Sequence, residues 1–280
     1  YVCKGFETVA DYKLKCHVFS TIGSHGSLTV EQALMNSCNP YMIHLALEMG
    51  NSRFAYYQSL FGFGKITGID LPGETTGIVY GDRMTTIDAA CNSFGQTINV
   101  NMMQMMAAYC SIINGGMLYQ PHIVKRIESA NGEVVKEYKA NLVRQTITAS
   151  TSKLLRRYLK NTVEEGTAKK AGVTGYSVAG KTGTAQKGDR KDNKWIISFI
   201  GHAPAENPKF AIYVVIDEPY GTTGTSGSSA DVLTLTHNIL EKLLPYMNVY
   251  KDASDEYEDT SSSPDELTVD GIPAGTASSN

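Results

Sequence analysis

Ala179-Gly180-Lys181-Thr182-Gly183-Thr184-Ala185-Gln186 reads as a β-strand that carries a cation. Glycine on both sides of Lys181 opens the backbone to close approach, and an edge strand has N–H groups free to bind a ligand. By itself Lys-Thr-Gly is a weak signal, equally compatible with an ordinary strand and a solvated lysine. Two further strand patterns follow, over 194–202 and 209–217. The links between the three are short and polar, so the spacing predicts an antiparallel meander over 177–186, 194–202 and 209–217. A helix over 230–244 closes the unit.

Upstream of the meander the pattern is mostly helical. Residues 150–164 form an amphipathic helix with Leu154, Leu155, Tyr158, Leu159 and Val163 on one face. Asn131-Gly132 lies between runs at 118–127 and 133–138, which predicts a hairpin. The apolar run 101–113 stops at Gly115-Gly116 and reads as a buried helix, with Met102, Met103, Met105 and Met106 as core filler. Residues 62–82 are rich in Gly and Pro and read as a surface loop. Three helices precede it, at 30–36, 39–50 and 52–60. Thr29 and Gln32 form a capping box for the first, and Asn39-Pro40 reads as cap and first residue of the second.

Charge and cysteine content exclude several classes. Residues 251–280 hold eight acidic residues and one Lys, a net −7. The chain total is −3, so residues 1–250 carry +4. The body lacks the dense basic block of a nucleic-acid binder. No apolar run reaches the roughly 18 residues that a membrane span needs. The tail cannot bury enough apolar area to order itself, so the expected division is one domain over 1–250 and an acidic disordered tail over 251–280. The cysteines are Cys3, Cys16, Cys38, Cys91 and Cys110, an odd number. Cys3 and Cys16 flank a short polar segment. They stand as a disulfide in an oxidising compartment or as two separate thiols. The spacing of Cys and His along the chain matches no zinc motif, so no metal is expected.

Ser37-Cys38-Asn39 lies between two predicted helices. It offers a hydroxyl that can relay a proton and an amide that can hold a carbonyl. Taken alone, Asn39 reads first as a helix cap. Its order relative to the strand changes that reading. Ser-x-Asn followed 142 residues later (181 − 39) by Lys-Thr-Gly resembles two of the three signatures of the penicillin-recognising serine enzymes. Ser24-His25-Gly26, Phe61-Gly62-Phe63-Gly64, Thr67 to Glu74, Ser93-Phe94-Gly95-Gln96, Val163 to Ala168 and Trp195 to Gly201 extend the likeness. Over residues 1 to about 247 the chain resembles the transpeptidase domain of class B penicillin-binding proteins, in the style of Gram-positive division and sporulation enzymes.

That resemblance implies an α/β (α+β) fold shared with serine β-lactamases: an antiparallel sheet packed on helices, with an all-helical region beside it. It implies a peptidoglycan D,D-transpeptidase that acts on D-Ala-D-Ala stem peptides through a serine acyl-enzyme, binds β-lactams and needs no cofactor. It implies the extracytoplasmic face of the bacterial membrane and a membrane glycosyltransferase partner. Carried over residue by residue, Ser37 relays a proton and Asn39 holds the substrate amide. Lys181 adds positive potential, and Thr182 and Thr184 bind the terminal carboxylate. Gly183 leaves room for the substrate, and the Thr184 N–H forms half of an oxyanion hole.

Two departures stand out. The family acylates on a Ser-x-x-Lys ahead of Ser-x-Asn, and residues 1–36 contain none. The literal match Ser150-Thr151-Ser152-Lys153 lies downstream, at a helix start. The expectation is therefore that the nucleophile helix and two N-terminal strands lie upstream of Tyr1, and that residues 1–280 alone are inactive. The alternative is a scaffold or binding module in cell-wall assembly that keeps the fold without the chemistry. The second departure is Thr97, where the family carries Gly.

Overall fold

The computed structural model describes residues 1–188, 194–219 and 228–252. The meander forms as expected. Strands β9 (Ala179–Lys187), β10 (Lys194–Ala203) and β11 (Phe210–Asp217) make an antiparallel sheet in the order β11-β10-β9, with Lys181 opposite Ile200 and Gly183 opposite Ser198. Lys181 thus lies on an edge strand. Helix α7 (Ala230–Tyr246) covers the sheet with Val232, Leu233, Leu240 and Leu244, which pack with Ile197 and Phe199 in the largest core cluster. Each of these six is at most 2% exposed, so this layer supplies most of the apolar driving force.

Helix α6 (Ala149–Glu164) crosses behind β9 and packs on α5 (Met102–Ile113). Its buried face is largely the one that periodicity suggests, with Leu159 and Val163 buried and Leu155 and Tyr158 half-buried. Leu154 is exposed, and Ser152 and Thr162 are buried beside Leu159 and Val163. Ser152 Oγ donates to Ile112 O at 2.6 Å and accepts from Gly115 N at 3.0 Å, so it caps the end of α5. The Ser-x-x-Lys match at 150–153 is therefore part of a helix junction. In α5 the expected methionine core is also corrected. Met102 is 52% exposed, while Gln104 is buried and donates to Lys65 O and Thr76 O. That side chain fastens the 62–82 loop, whose backbone would otherwise be left unpaired.

The hairpin at Asn131-Gly132 is present but shorter than expected. The run 118–127 divides into β5 (Met117–Gln120), which pairs with β8 (Asn141–Gln145), and β6 (Arg126–Glu128), which pairs with β7 (Val134–Glu137). The N-terminal helices α1 (Val30–Met35), α2 (Asn39–Met49) and α3 (Asn51–Leu60) stand where periodicity places them, and a further short helix, α4 (Thr86–Asn92), follows the loop. Residues 1–28 make two small ribbons. β1 (Val2–Cys3) pairs with β4 (Gly26–Ser27), and β2 (Phe6–Val9) pairs with β3 (Tyr12–Lys15). Among the described residues no helix is long and apolar enough to cross a membrane. Residues 253–280 lie outside those described. All but the first two residues of the acidic tail expected over 251–280 thus lie outside the described residues, and Asp252 N donates to Gly175 O.

Candidate active site

The site begins with a helix ending. Thr29 and Gln32 form the reciprocal capping box that starts α1, and the helix stops after two turns. Ser37 N donates to Leu34 O and Cys38 N donates to Ala33 O. This pair of bonds is the Schellman arrangement, in which the residue after the cap adopts a left-handed conformation. That residue is usually glycine. Here it is Ser37, with φ +50°. A non-glycine residue so held stores strain, on the order of 1 kcal/mol. The turn aims the Ser37 hydroxyl away from both helices. The cap of α2 is Cys38, not Asn39 as expected; Asn39 is the first helical residue, and its side chain lies toward Lys15 O at 3.4 Å. Asn39 is thus not occupied as a cap.

Lys181 comes to this turn from β9, 144 residues away, and its Nζ donates to Ser37 Oγ. It also donates to Thr182 O at 3.1 Å. The alternative of a merely solvated lysine does not describe it. Lys181 is half-buried, and loss of water pulls its ammonium down to about pKa 8. Thr167, at the end of α6, completes the group. Its hydroxyl lies 3.4 Å from Ser37 Oγ and 3.4 Å from Thr182 Oγ1. Thr167 N donates to Met35 O, which ties the end of α6 to the end of α1. Gly166 permits that approach, since a Cβ there would stand 2.7 Å from Met35 O.

These residues face a cleft of about 850 Å³, within the range of small-molecule sites. Ser37, Asn39, Lys181, Thr182, Gly183 and Thr184 all line it, so every residue singled out from the two motifs reaches one surface. Gly183 has a local reason for its size. A Cβ there would lie 2.6 Å from Ser198 Oγ on β10. Opposite the strand, Phe94, Gln96 and Thr97 form the far lip. Thr97 has φ +58°, a conformation that favours glycine, and its hydroxyl accepts from Asn92 Nδ2 at 2.8 Å. Thr167, Trp195 and Thr97 were not identified as site residues from sequence; each was visible only as part of a longer motif.

Cys3 and Cys16 are free thiols and buried, as is Cys38. Cys38 donates to Cys16, a bond that lowers the Cys16 thiol's pKa and raises that of Cys38. Although the sequence spacing matches no zinc motif, the fold brings cysteine and histidine together. Cys3, Cys16, Cys38 and His25 place one donor atom each within 4.8 Å of one another.

The chain is similar to several known proteins. Residues 7–241 match the penicillin binding protein transpeptidase domain. Stage V sporulation protein D of Bacillus subtilis is 39% identical over 251 residues, covering 88% of this chain and 38% of that protein. Peptidoglycan D,D-transpeptidase FtsI of Escherichia coli is 32% identical over 248 residues, covering 86% and 40%. The chain therefore spans about two-fifths of these relatives. Penicillin binding protein 3 of Mycobacterium tuberculosis, solved in complex with ampicillin, superposes with a TM-score of 0.80 at 28% identity, covering 91% of this chain and 58% of that one.

Proposed function

The chain belongs to the penicillin-binding protein transpeptidase family, and from that premise we propose that it supplies the substrate-binding half of a peptidoglycan D,D-transpeptidase site. The observation that carries the proposal is the meeting of Ser37, Lys181, Thr167 and Thr182 in one cleft. In the proposed reaction a serine attacks the penultimate D-Ala carbonyl of a stem peptide. The C–N bond breaks, D-Ala leaves with a proton, and an acyl-enzyme remains. An amine from a neighbouring stem then takes the acyl group and loses a proton. Ser37 passes the proton to the leaving amine. Lys181 faces the terminal carboxylate; when that anion arrives it returns the lysine's pKa toward its ordinary value and holds it charged. The Thr182 and Thr184 hydroxyls fix the carboxylate, the Thr184 N–H polarises the carbonyl, and Asn39 holds the peptide amide.

The Ser-x-x-Lys at Ser150 to Lys153 lies at the junction of α5 and α6 and does not line the cleft, so on this reading it is not the acylating serine's motif. We assign the acylating serine to sequence outside residues 1–280, together with the general-base lysine. On this reading β-lactams bind as mimics of D-Ala-D-Ala, and the whole protein works at the extracytoplasmic face with a glycosyltransferase partner. Residues 1–280 treated with a labelled penicillin should show no covalent adduct in intact mass. In the longer protein, Lys181→Ala should slow acylation at least tenfold while the melting temperature holds. A stoichiometric adduct on residues 1–280, or acylation of the Lys181→Ala protein at the parent rate, would remove these roles and favour a scaffold.

A further inference from the structure

Residues 1–28 fold with little apolar support. Val9 packs with Ile43 and Ala90, and the other cluster that holds them contains Cys3, Cys16, Ala33, Cys38 and Tyr41, so three of its five buried residues are cysteines. All three are at most 3% exposed. Each arrives from a different element: Cys3 from β1, Cys16 just after β3, and Cys38 from the cap of α2. The pairing of Cys3 with Gly26 in the β1–β4 ribbon brings the adjacent His25 to the same point. His25 Nδ1 lies 3.5 Å from Cys16 Sγ and 3.9 Å from Cys3 Sγ.

We propose that Cys3, Cys16, Cys38 and His25 bind one zinc ion as a structural Cys₃His site. Tetrahedral zinc with Zn–S of about 2.3 Å and Zn–N of about 2.0 Å sets sulfur–nitrogen edges of about 3.5 Å and sulfur–sulfur edges of about 3.8 Å. One observed sulfur–nitrogen distance, 3.5 Å from Cys16, matches that value and the other, 3.9 Å from Cys3, exceeds it, and no two donor atoms are more than 4.8 Å apart. Contraction of the cluster by about 1 Å or less therefore closes the shell. Three soft thiolates and an imidazole suit zinc better than a hard, oxygen-seeking cation.

Backbone N–H groups surround the sulfurs. Gly5 N donates to Cys3 Sγ at 3.4 Å. The Val18 and Asn39 amides point at Cys16, and the Tyr41 amide at Cys38. Such N–H···S contacts are the outer shell that orients metal-bound thiolates. Cys38 also stands at the N-terminus of the 11-residue helix α2, where negative charge is favoured. In the binding step Zn²⁺ takes three thiolates and one neutral imidazole, three thiol protons leave to solvent, and no electrons move. A disulfide between Cys3 and Cys16 would instead require a two-electron oxidant, and would leave Cys38 and His25 without this role.

The site has a consequence for the cleft. Cys38 is the middle residue of Ser37-Cys38-Asn39, so a ligand bond at its sulfur would anchor the strained turn that presents Ser37 and Asn39. The ion would act on these groups by positioning them. Metal content does not depend on the transpeptidase reading, so either idea can fail alone.

The test uses residues 1–280, purified under reductant without chelator, with metal measured by plasma mass spectrometry. About one zinc per chain is expected, falling to a trace in Cys3→Ser and Cys38→Ser and unchanged in Ser37→Ala. Should the cysteine variants fail to fold, the parent chain still decides. Cobalt(II) added to the reduced, metal-stripped protein should give the intense visible bands and thiolate charge-transfer absorption of a tetrahedral thiolate site. A strong chelator should expose Cys3, Cys16 and Cys38 to alkylation. Reduced protein that carries no zinc and gives cobalt no tetrahedral spectrum would overturn the proposal. So would a peptide map of metal-free protein, purified without reductant, that shows Cys3 joined to Cys16.

Discussion

The β9 wall of the cleft rests, among the described residues, on a cluster of thirteen buried residues, while the Ser37 wall rests on a cluster of five, of which three are cysteines. The strands differ to match. β10 runs ten residues and β9 nine, whereas β1 and β4 have two each. A long sheet with an apolar layer behind it holds its shape by burial. Two-residue ribbons cannot, and small units of that kind depend on cross-links or metals. The substrate-facing cation is thus mounted on the robust wall and the proton-relaying hydroxyl on the fragile one. Agents that act on thiols should disturb Ser37 and Asn39 well before they disturb Lys181.

The sharpest way to break this contrast is to weaken the strong wall. Phe199 is fully buried between β10 and α7. Phe199→Ala should cost about 3–5 kcal/mol through lost burial and the cavity left behind. Denaturant unfolding should show that loss with and without reductant or chelator. If the loss depends on thiol state, the two walls are not independent.

Acid tests the same wall through His202. It is buried and neutral, accepts from Tyr109 OH at 2.8 Å through Nδ1 and donates to Ala205 O at 3.1 Å through Nε2. Burial lowers its pKa to about 4, from 6.5. Between those values the unfolded chain binds a proton that the native chain does not. Stability should therefore be complete above pH 6.5 and fall toward pH 4, by as much as about 3 kcal/mol. Thermal melts across that range check it, and His202→Gln should flatten the slope. A slope that persists in the variant would place the titrating group elsewhere.

Lys181 carries the same sign in alkali. Its native pKa, about 8, lies below the ordinary 10.5 because the side chain has lost water. The cost of holding a desolvated ammonium is present in full below pH 8. It is relieved as pH rises toward 10.5, because there the unfolded chain keeps a proton that the native chain has lost. Partial exposure weakens the effect, so stability should gain about 2 kcal/mol over that window. Lys181→Met should abolish the gain. Should the Met variant gain as much as the parent, another group owns the slope.

How much of this was legible follows the same division. The β9 wall announced itself, because strands and an amphipathic helix have periods and Lys-Thr-Gly has an order relative to Ser-x-Asn. The convergence of Ser37, Asn39, Lys181, Thr182 and Thr184 on one cleft followed from that reading. Thr167 did not, since a lone threonine after a helix carries no pattern, and its place depends on Gly166 fitting beside Met35 O. The cysteine cluster was missed for a related reason. Its ligands are spaced 13, 9 and 13 residues apart, through ribbons too short to show alternation. Leu154 and the methionines of α5 misled because periodicity finds a face without saying which side a neighbour covers. Thr97 became readable only as a backbone angle, since its positive φ explains why glycine suits that place.

The smallest effect separates chemistry from strain at the Ser37 turn. Ser37 occupies a left-handed position that glycine adopts freely, and it is retained there with its hydroxyl in the Lys181 and Thr167 network. Replacing it by alanine removes the hydroxyl and keeps the strain. Replacing it by glycine removes both. Each variant loses the same bonds, so their difference isolates the backbone term, at the cost of a somewhat more flexible unfolded chain for glycine. Ser37→Gly should therefore unfold about 1 kcal/mol later than Ser37→Ala. Equal stabilities in urea would mean that the turn relaxes out of the left-handed region once the hydroxyl is gone. In that case the bond from Lys181, and not the Schellman geometry of α1, is what holds Ser37 in place, and the fragile wall takes its shape from the robust one.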